Sequence, residues 1–173
     1  MKTFAKTSLI AFSLFLAACS SDDNNNAYVP PVGTPSNDTY VTGKVEGADF
    51  SSIIFGVSAA NCQKIGSGDD QIVTILGSDM AANSITISLY GPITARDYTV
   101  NAGTNSFLNY SPGSGGVAFA TTADCTGASG TITVTHVDDS KVEGTFSFTG
   151  VDTEDCAGGS KTITQGTFRG TYQ

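Results

Sequence analysis

The sequence predicts an all-β protein, an antiparallel β-sandwich of eight to nine strands, with a closed or partly open β-barrel as the alternative. Three observations predict it. Beyond residue 39, no window longer than about a dozen residues carries the 3.6-residue apolar period of a helix. Two stretches instead alternate at every residue. In Ser84–Leu89, Ile85, Ile87 and Leu89 share one face while Ser84, Thr86 and Ser88 take the other, and in Thr131–His136, Ile132 and Val134 oppose Thr131, Thr133 and Thr135. One apolar face and one hydroxyl face is the pattern of a sheet packed on a single side. Finally, Ser, Thr, Gly and Asn are plentiful while Lys and Arg together number eight, a bias that suits exposed β-structure outside the cytoplasm.

In chain order, the first segment is Met1–Cys19. Lys2 and Lys6 precede Ser8–Leu16, an apolar run of nine residues. That is far short of the ~20 needed to cross a bilayer, so it reads as the apolar region of a signal peptide. An ordinary cleavage site wants small residues at −3 and −1, and Phe15 or Leu16 would stand at −3 here. Leu16-Ala17-Ala18-Cys19 instead resembles the lipobox of bacterial lipoproteins. The resemblance implies removal of residues 1–18 and lipidation of Cys19. Residues 19–39 follow as the lipidated N-terminus and a disordered tether, because Ser20–Thr39 has almost no apolar content and carries Pro30, Pro31, Gly33 and Pro35. Fully stretched, these residues reach roughly 65–70 Å. Ser20-Ser21-Asp22-Asp23 resembles the acidic export tag of surface lipoproteins of Bacteroidota. That implies an outer-membrane lipoprotein facing the cell surface, with a periplasm-facing location as the alternative. A Ca²⁺ site on Asp22 and Asp23 is disfavoured, since a disordered segment holds no coordination geometry.

Residues 40–173 form the expected domain, with strands at Tyr40–Glu46, Asp49–Ala59, Gln71–Leu76, Ser84–Tyr90, Asp97–Asn101, Gly116–Thr121, Thr131–Val137, Val142–Thr149 and Lys161–Tyr172. The similar SITIS, TITV and TITQ segments are unequally spaced, which excludes a solenoid. The hairpin Thr131–Thr149 is the best specified. Its turn, Asp138-Asp139-Ser140-Lys141, holds side chains that bond their own backbone, and it sets Val137 opposite Val142. Phe146 and Phe148 then share a face, and burying each contributes ~1.5–3 kcal/mol. Gly166 interrupts the alternation between Ile163 and Phe168, which predicts a bulge or a bend.

Extending that register puts Cys125 opposite Glu154, with Cys156 two residues on. In an oxidising compartment a Cys125–Cys156 disulfide follows, closing a loop of about 30 residues. Cys62, in a predicted loop Ala60–Gln63, is then the odd thiol. Cys62–Cys125, Cys62–Cys156 and three reduced cysteines are the competing states.

Chemistry is sparse. Taking Lys2 and Lys6 from the eight basic residues leaves six against sixteen acids, a net charge of −10 beyond the signal. Such a chain repels phosphate backbones, which argues against nucleic acid as a partner. His136 is the one histidine and lacks companions at metal-ligand spacing, so it reads as a strand-end residue beside the turn. No nucleophile elbow, zinc-protease, dithiol or P-loop motif occurs. The acids cluster in turns: Asp69-Asp70, Asp138-Asp139 and Asp152–Asp155. No catalytic residue, metal or cofactor is therefore expected. Phe107 and Tyr110, in a predicted loop Asn105–Pro112, are the candidate contact residues.

Asp49-Phe50, Tyr98, Gly130–Phe148 and Thr164–Phe168 make residues 40–168 similar to an uncharacterised family of Bacteroidota lipoprotein domains. These are turn and core positions, so the resemblance implies a fold and no chemistry. The expectation is a non-catalytic binding or structural module, held to a membrane by its N-terminal lipid and directed at a glycan or protein. A carrier of an apolar ligand would need an unfilled barrel interior of ~300–1,000 Å³. A glycan hydrolase would need two converging carboxylates.

Overall fold

A computed structural model describes residues 38–122 and 124–173. Residues 1–18, Cys19 and residues 20–37 of the expected tether lie outside the described residues; its last two, Asp38 and Thr39, belong to the fold, with Thr39 buried and its hydroxyl accepting the Thr171 N–H at 3.0 Å. β1 (Tyr40–Val45) turns into β2 (Ala48–Ser51), and a two-stranded hairpin of β3 (Ile53–Ile54) and β4 (Val57–Ser58) follows. β5 (Ala60–Ile65), β6 (Ile72–Ser78) and β7 (Ser84–Tyr90) form a meander, with a 3-10 turn at Gly68–Asp70. β8 (Asp97–Val100) leaves it to pair with β11 (Ser129–Val137), while β9 (Phe107–Ser111) and β10 (Phe119–Ala120) continue it. β12 (Lys141–Asp152) and β13 (Ser160–Thr171) are the longest strands, at 12 residues each.

β12 decides the topology. β13 pairs along one of its edges. On the other edge β11 pairs as far as Thr149, and β10 then takes over at Val151 and Asp152. Gly150 sits at the handover, where a Cβ would stand 2.6 Å from the Phe119 carbonyl oxygen. Eleven strands thus form one antiparallel sheet in the order β2-β1-β13-β12-β10-β9-β7-β6-β5, with β11 and β8 branching from β12, and it curls into a half-barrel. The curl brings β1 and β13 against β6 and β5. A Cβ on Gly77 would stand 2.7 Å from that of Val41, and one on Gly170 would stand 2.6 Å from the Cys62 Sγ. The antiparallel all-β expectation is met, in the partly open barrel form. No break in β12 divides the sheet into the two layers of a sandwich. Among the described residues no helix is long and apolar enough to cross a membrane.

The interior is filled by Ile85, Ile87 and Leu89 from β7, Ile132 and Val134 from β11, and Phe146, Phe148 and Phe168 from β12 and β13, the spine of the sheet. Two bulges keep apolar residues inward despite a change of parity. Opposite Phe146–Phe148 the register skips across Thr164 and Gln165, so Ile163 and Phe168 both point inside. Gln165 takes φ 53° there, and Gly166 lies under the Phe146 ring. At Thr135 the β11–β12 register slips by one, from Val134↔Gly144 to His136↔Glu143 and Val137↔Val142. Val137 meets Val142 as expected, and His136 is turned outward.

Cys125 and Cys156 are joined by a disulfide with Cα atoms 5.9 Å apart. Both lie in loops beyond the paired strands, so the one-residue slip leaves the bond possible. Cys62 is a free, buried thiol. The expected loop around it is strand β5, with Ala60 and Cys62 inward and Asn61 and Gln63 outward. The expected strand Asp49–Ala59 is broken by a turn at Phe55-Gly56.

Candidate functional site

The expected contact loop is strand β9, and this corrects the reading of Phe107 and Tyr110. Phe107 and Tyr110 differ in strand parity, so they point to opposite faces. Tyr110 is only 8% exposed and stacks on Phe119 with ring centroids 6.4 Å apart. Phe107 is partly exposed on the outer face. They form no common platform.

A better candidate lies where β7 ends, β8 begins and the chain approaches β9. Tyr90, Arg96, Asp97, Tyr98, Thr104 and Asn105 line a solvent-open dish of about 390 Å³. Its floor is fixed by Tyr98, whose hydroxyl accepts the Thr94 N–H at 2.8 Å and donates to the Thr94 carbonyl at 3.1 Å. Arg96 immediately precedes β8, two residues before Tyr98. The guanidinium carbon lies 4.4 Å from the ring centroid, a cation–π contact. Among the described residues no carboxylate pairs with Arg96. The opposite wall is braced from within. The Asn101 N–H donates to Thr104 Oγ1 at 3.0 Å, and the Tyr90 N–H donates to Ser106 Oγ at 2.9 Å. The dish therefore presents one exposed ring, a guanidinium with no carboxylate partner among the described residues, and the Asn105 amide, on a hydrogen-bonded frame.

Other polar groups are committed to structure. Asp152, buried beside the disulfide loop, accepts the Glu154 and Gly158 N–H groups at 2.8 Å each. Asp97 accepts the Thr133 hydroxyl at 2.7 Å. Among the described residues no group of three His, Cys, Asp or Glu side chains is placed to hold a metal. Burial pushes the Cys62 thiol up to about 12, so it is protonated and inert at neutral pH.

A family model described as a domain of unknown function, DUF6252, matches residues 37–170. The chain belongs to the DUF6252 family. No curated protein and no solved structure matches it. The DUF6252 match runs from just before β1 to one residue short of the end of β13, so it takes in the dish and all but the last residue of the half-barrel's strands. Residues 1–36, Leu16–Cys19 among them, lie outside the match.

In this DUF6252 chain His136 stands half exposed on the outer face, with its Nε2–H donating to Asp138 Oδ2 at 2.8 Å. Together with the Ser140 hydroxyl and backbone N–H, this bond holds the Asp138 carboxyl well below the usual carboxylate range. The pair organises the turn. A depressed folded value means the contribution is present above the ordinary carboxylate value of about 4 and fades as pH falls through the folded one. His136→Ala is therefore expected to raise the Asp138 midpoint in an NMR carboxyl titration, and an unmoved midpoint would refute the contact.

Proposed function

We propose that this protein is a lipid-anchored, non-catalytic binding module of the bacterial outer membrane, displayed at the cell surface and directed at a glycan or polypeptide. The anchor rests on the lipobox Leu16–Cys19, and the surface location on the acidic Ser20–Asp23 tag. A periplasm-facing location would leave the binding role unchanged. The observation that carries the binding reading is the contrast between a filled interior and an open, braced dish. The apolar side chains that a ligand carrier would line a cavity with are packed against one another, which disfavours the carrier. In the dish the single carboxylate, Asp97, is engaged by Thr133. A retaining or inverting glycosidase needs a pair.

Tyr90, Arg96 and Asn105 supply the three elements of polar recognition: a flat apolar face, a planar fork of donors and an amide. Screening the full mature chain on glycan and peptide arrays should yield a ligand. Arg96→Ala and Tyr90→Ala should each weaken that ligand about tenfold or more, equivalent to ~1.4 kcal/mol. A ligand indifferent to both changes would move the site elsewhere, and turnover of it would overturn the non-catalytic reading.

A further inference from the structure

The β3–β4 hairpin breaks two rules at once. Its connection, Phe55-Gly56, has φ 51° and 80°, both positive, which is the two-residue turn normally built from Asn-Gly, Asp-Gly or Gly-Gly. A bulky residue in left-handed backbone is strained. Packing does not account for it, because Phe55 is 90% exposed, and Ile53 and Val57 beside it are 47% and 61% exposed. The strained phenylalanine is thus held out into solvent at the tip of an apolar projection, on a surface otherwise rich in hydroxyls and acids. Exposed apolar clusters of this kind mark interaction sites.

The base of the projection is fixed. The Ala59 N–H donates to the Ser52 carbonyl at 2.7 Å, and the Ser52 hydroxyl accepts the Val41 N–H at 2.9 Å. The Ser58 hydroxyl donates to the carbonyl of Thr39. That last bond places the hairpin beside the point where the chain enters the fold. Cys19 stands 19 residues before Asp38, so the lipidated end lies within about 65 Å of this corner at full stretch. The acids nearest this corner are ion-paired, Asp49 with Lys44 and Asp38 with Arg169, at 2.5 Å each. Ser51–Gln63 carries no charged residue, in a chain of net charge −8. Elsewhere the acidic surface is repelled by anionic headgroups. An uncharged apolar tip escapes that repulsion.

We infer that the β3–β4 hairpin is a lipid-contacting finger, its tip of Ile53, Phe55 and Val57 seated in the surface of the bilayer that holds the Cys19 lipid. The inference rests on the lipid-anchored reading above. Two points of attachment, one covalent and one apolar, fix which side of the half-barrel faces the membrane, which a single tether does not.

The chain has no tryptophan, so one introduced indole reports its own surroundings. The full mature lipidated protein carrying Phe55→Trp is reconstituted into phosphatidylcholine vesicles, with and without brominated acyl chains. Val57→Trp serves as a second reporter in case position 55 perturbs the turn, and Ile65→Trp, at the far end of β5, as the contrast. The expected result is co-flotation, with blue-shifted emission and bromine quenching for F55W and V57W and water-like emission for I65W. Co-flotation with water-like emission at both hairpin positions would overturn the finger while leaving the anchor, and would assign the tip to a protein partner. Equal quenching at I65W would overturn it in favour of non-specific adsorption. An emission already blue-shifted without lipid, and dependent on protein concentration, would overturn it in favour of a second copy of the chain. Failure to float would remove the anchor reading and the finger with it.

Discussion

Replacing Phe168 by alanine is expected to cost about 3–5 kcal/mol of folding stability, the range for truncating a buried phenylalanine. Phe168 is 1% exposed and lies on β13 between Val41 of β1 and Gly144 of β12. Its ring fills the space a side chain at 144 would occupy, since a Cβ there would stand 2.8 Å from Cζ. Phe146 packs against it at 6.4 Å between centroids. Once the ring is gone, Gly144 has no side chain to move into the void. Val41 is pinned against Gly77 on the facing strand. The site therefore resists collapse, and the cavity cost is retained along with the lost burial. Equilibrium unfolding in urea measures this. A loss below about 1 kcal/mol would mean that the spine does not hold the core in this way.

The second large effect is expected from the disulfide. Converting Cys125 and Cys156 together to serine should lower stability by ~2–4 kcal/mol, because the bond restricts the unfolded chain over a long loop. The two residues are 31 apart in sequence, and the loop they close contains all of β11 and β12. Reductant should destabilise the unaltered protein by the same amount and leave the double variant unmoved. Cys62 supplies the internal check. Buried and protonated, it should react with a thiol reagent only after unfolding. Equal stability with and without the bond, or rapid labelling of Cys62 in the folded protein, would contradict the assignment.

Much of the half-barrel was legible because the strands that build its interior alternate without interruption. Ser84–Tyr90 is a strand at the predicted bounds, and the turn at Asp138–Lys141 sets Val137 opposite Val142 as its residues imply. The errors share a physical cause, local punctuation overridden by tertiary packing. Gly150 reads as a strand end, yet it lets β10 close onto β12. Asn61 and Gln63 read as loop, yet they are the outward faces of a strand whose inward residues are small. Asn105, Ser106 and Pro112 bracket β9 with turn residues and hide the alternation of Leu108 and Tyr110. His136 lies beside the turn as expected, and the bulge at Thr135 sets it on the outer face.

The dish was less legible than the fold. Arg96 stacks on Tyr98 from just outside β8, so strand parity gave no sign of that contact. Tyr90 joins them only because β8 leaves the meander to pair with β11, a connection that no local pattern encodes. The hairpin tip was hidden for the opposite reason. Ile53, Phe55 and Val57 look like strand core in sequence, and only the turn at Phe55-Gly56 reveals that they face solvent.

A surface module and a lipid-contacting finger both require the chain to be moored through Cys19, and mass spectrometry of the N-terminal peptide from the envelope of the producing bacterium tests this most directly. The expected peptide begins at Cys19 and carries a diacylglyceryl thioether. A peptide that still contains residues 1–18, or begins at an unmodified Cys19, would contradict it.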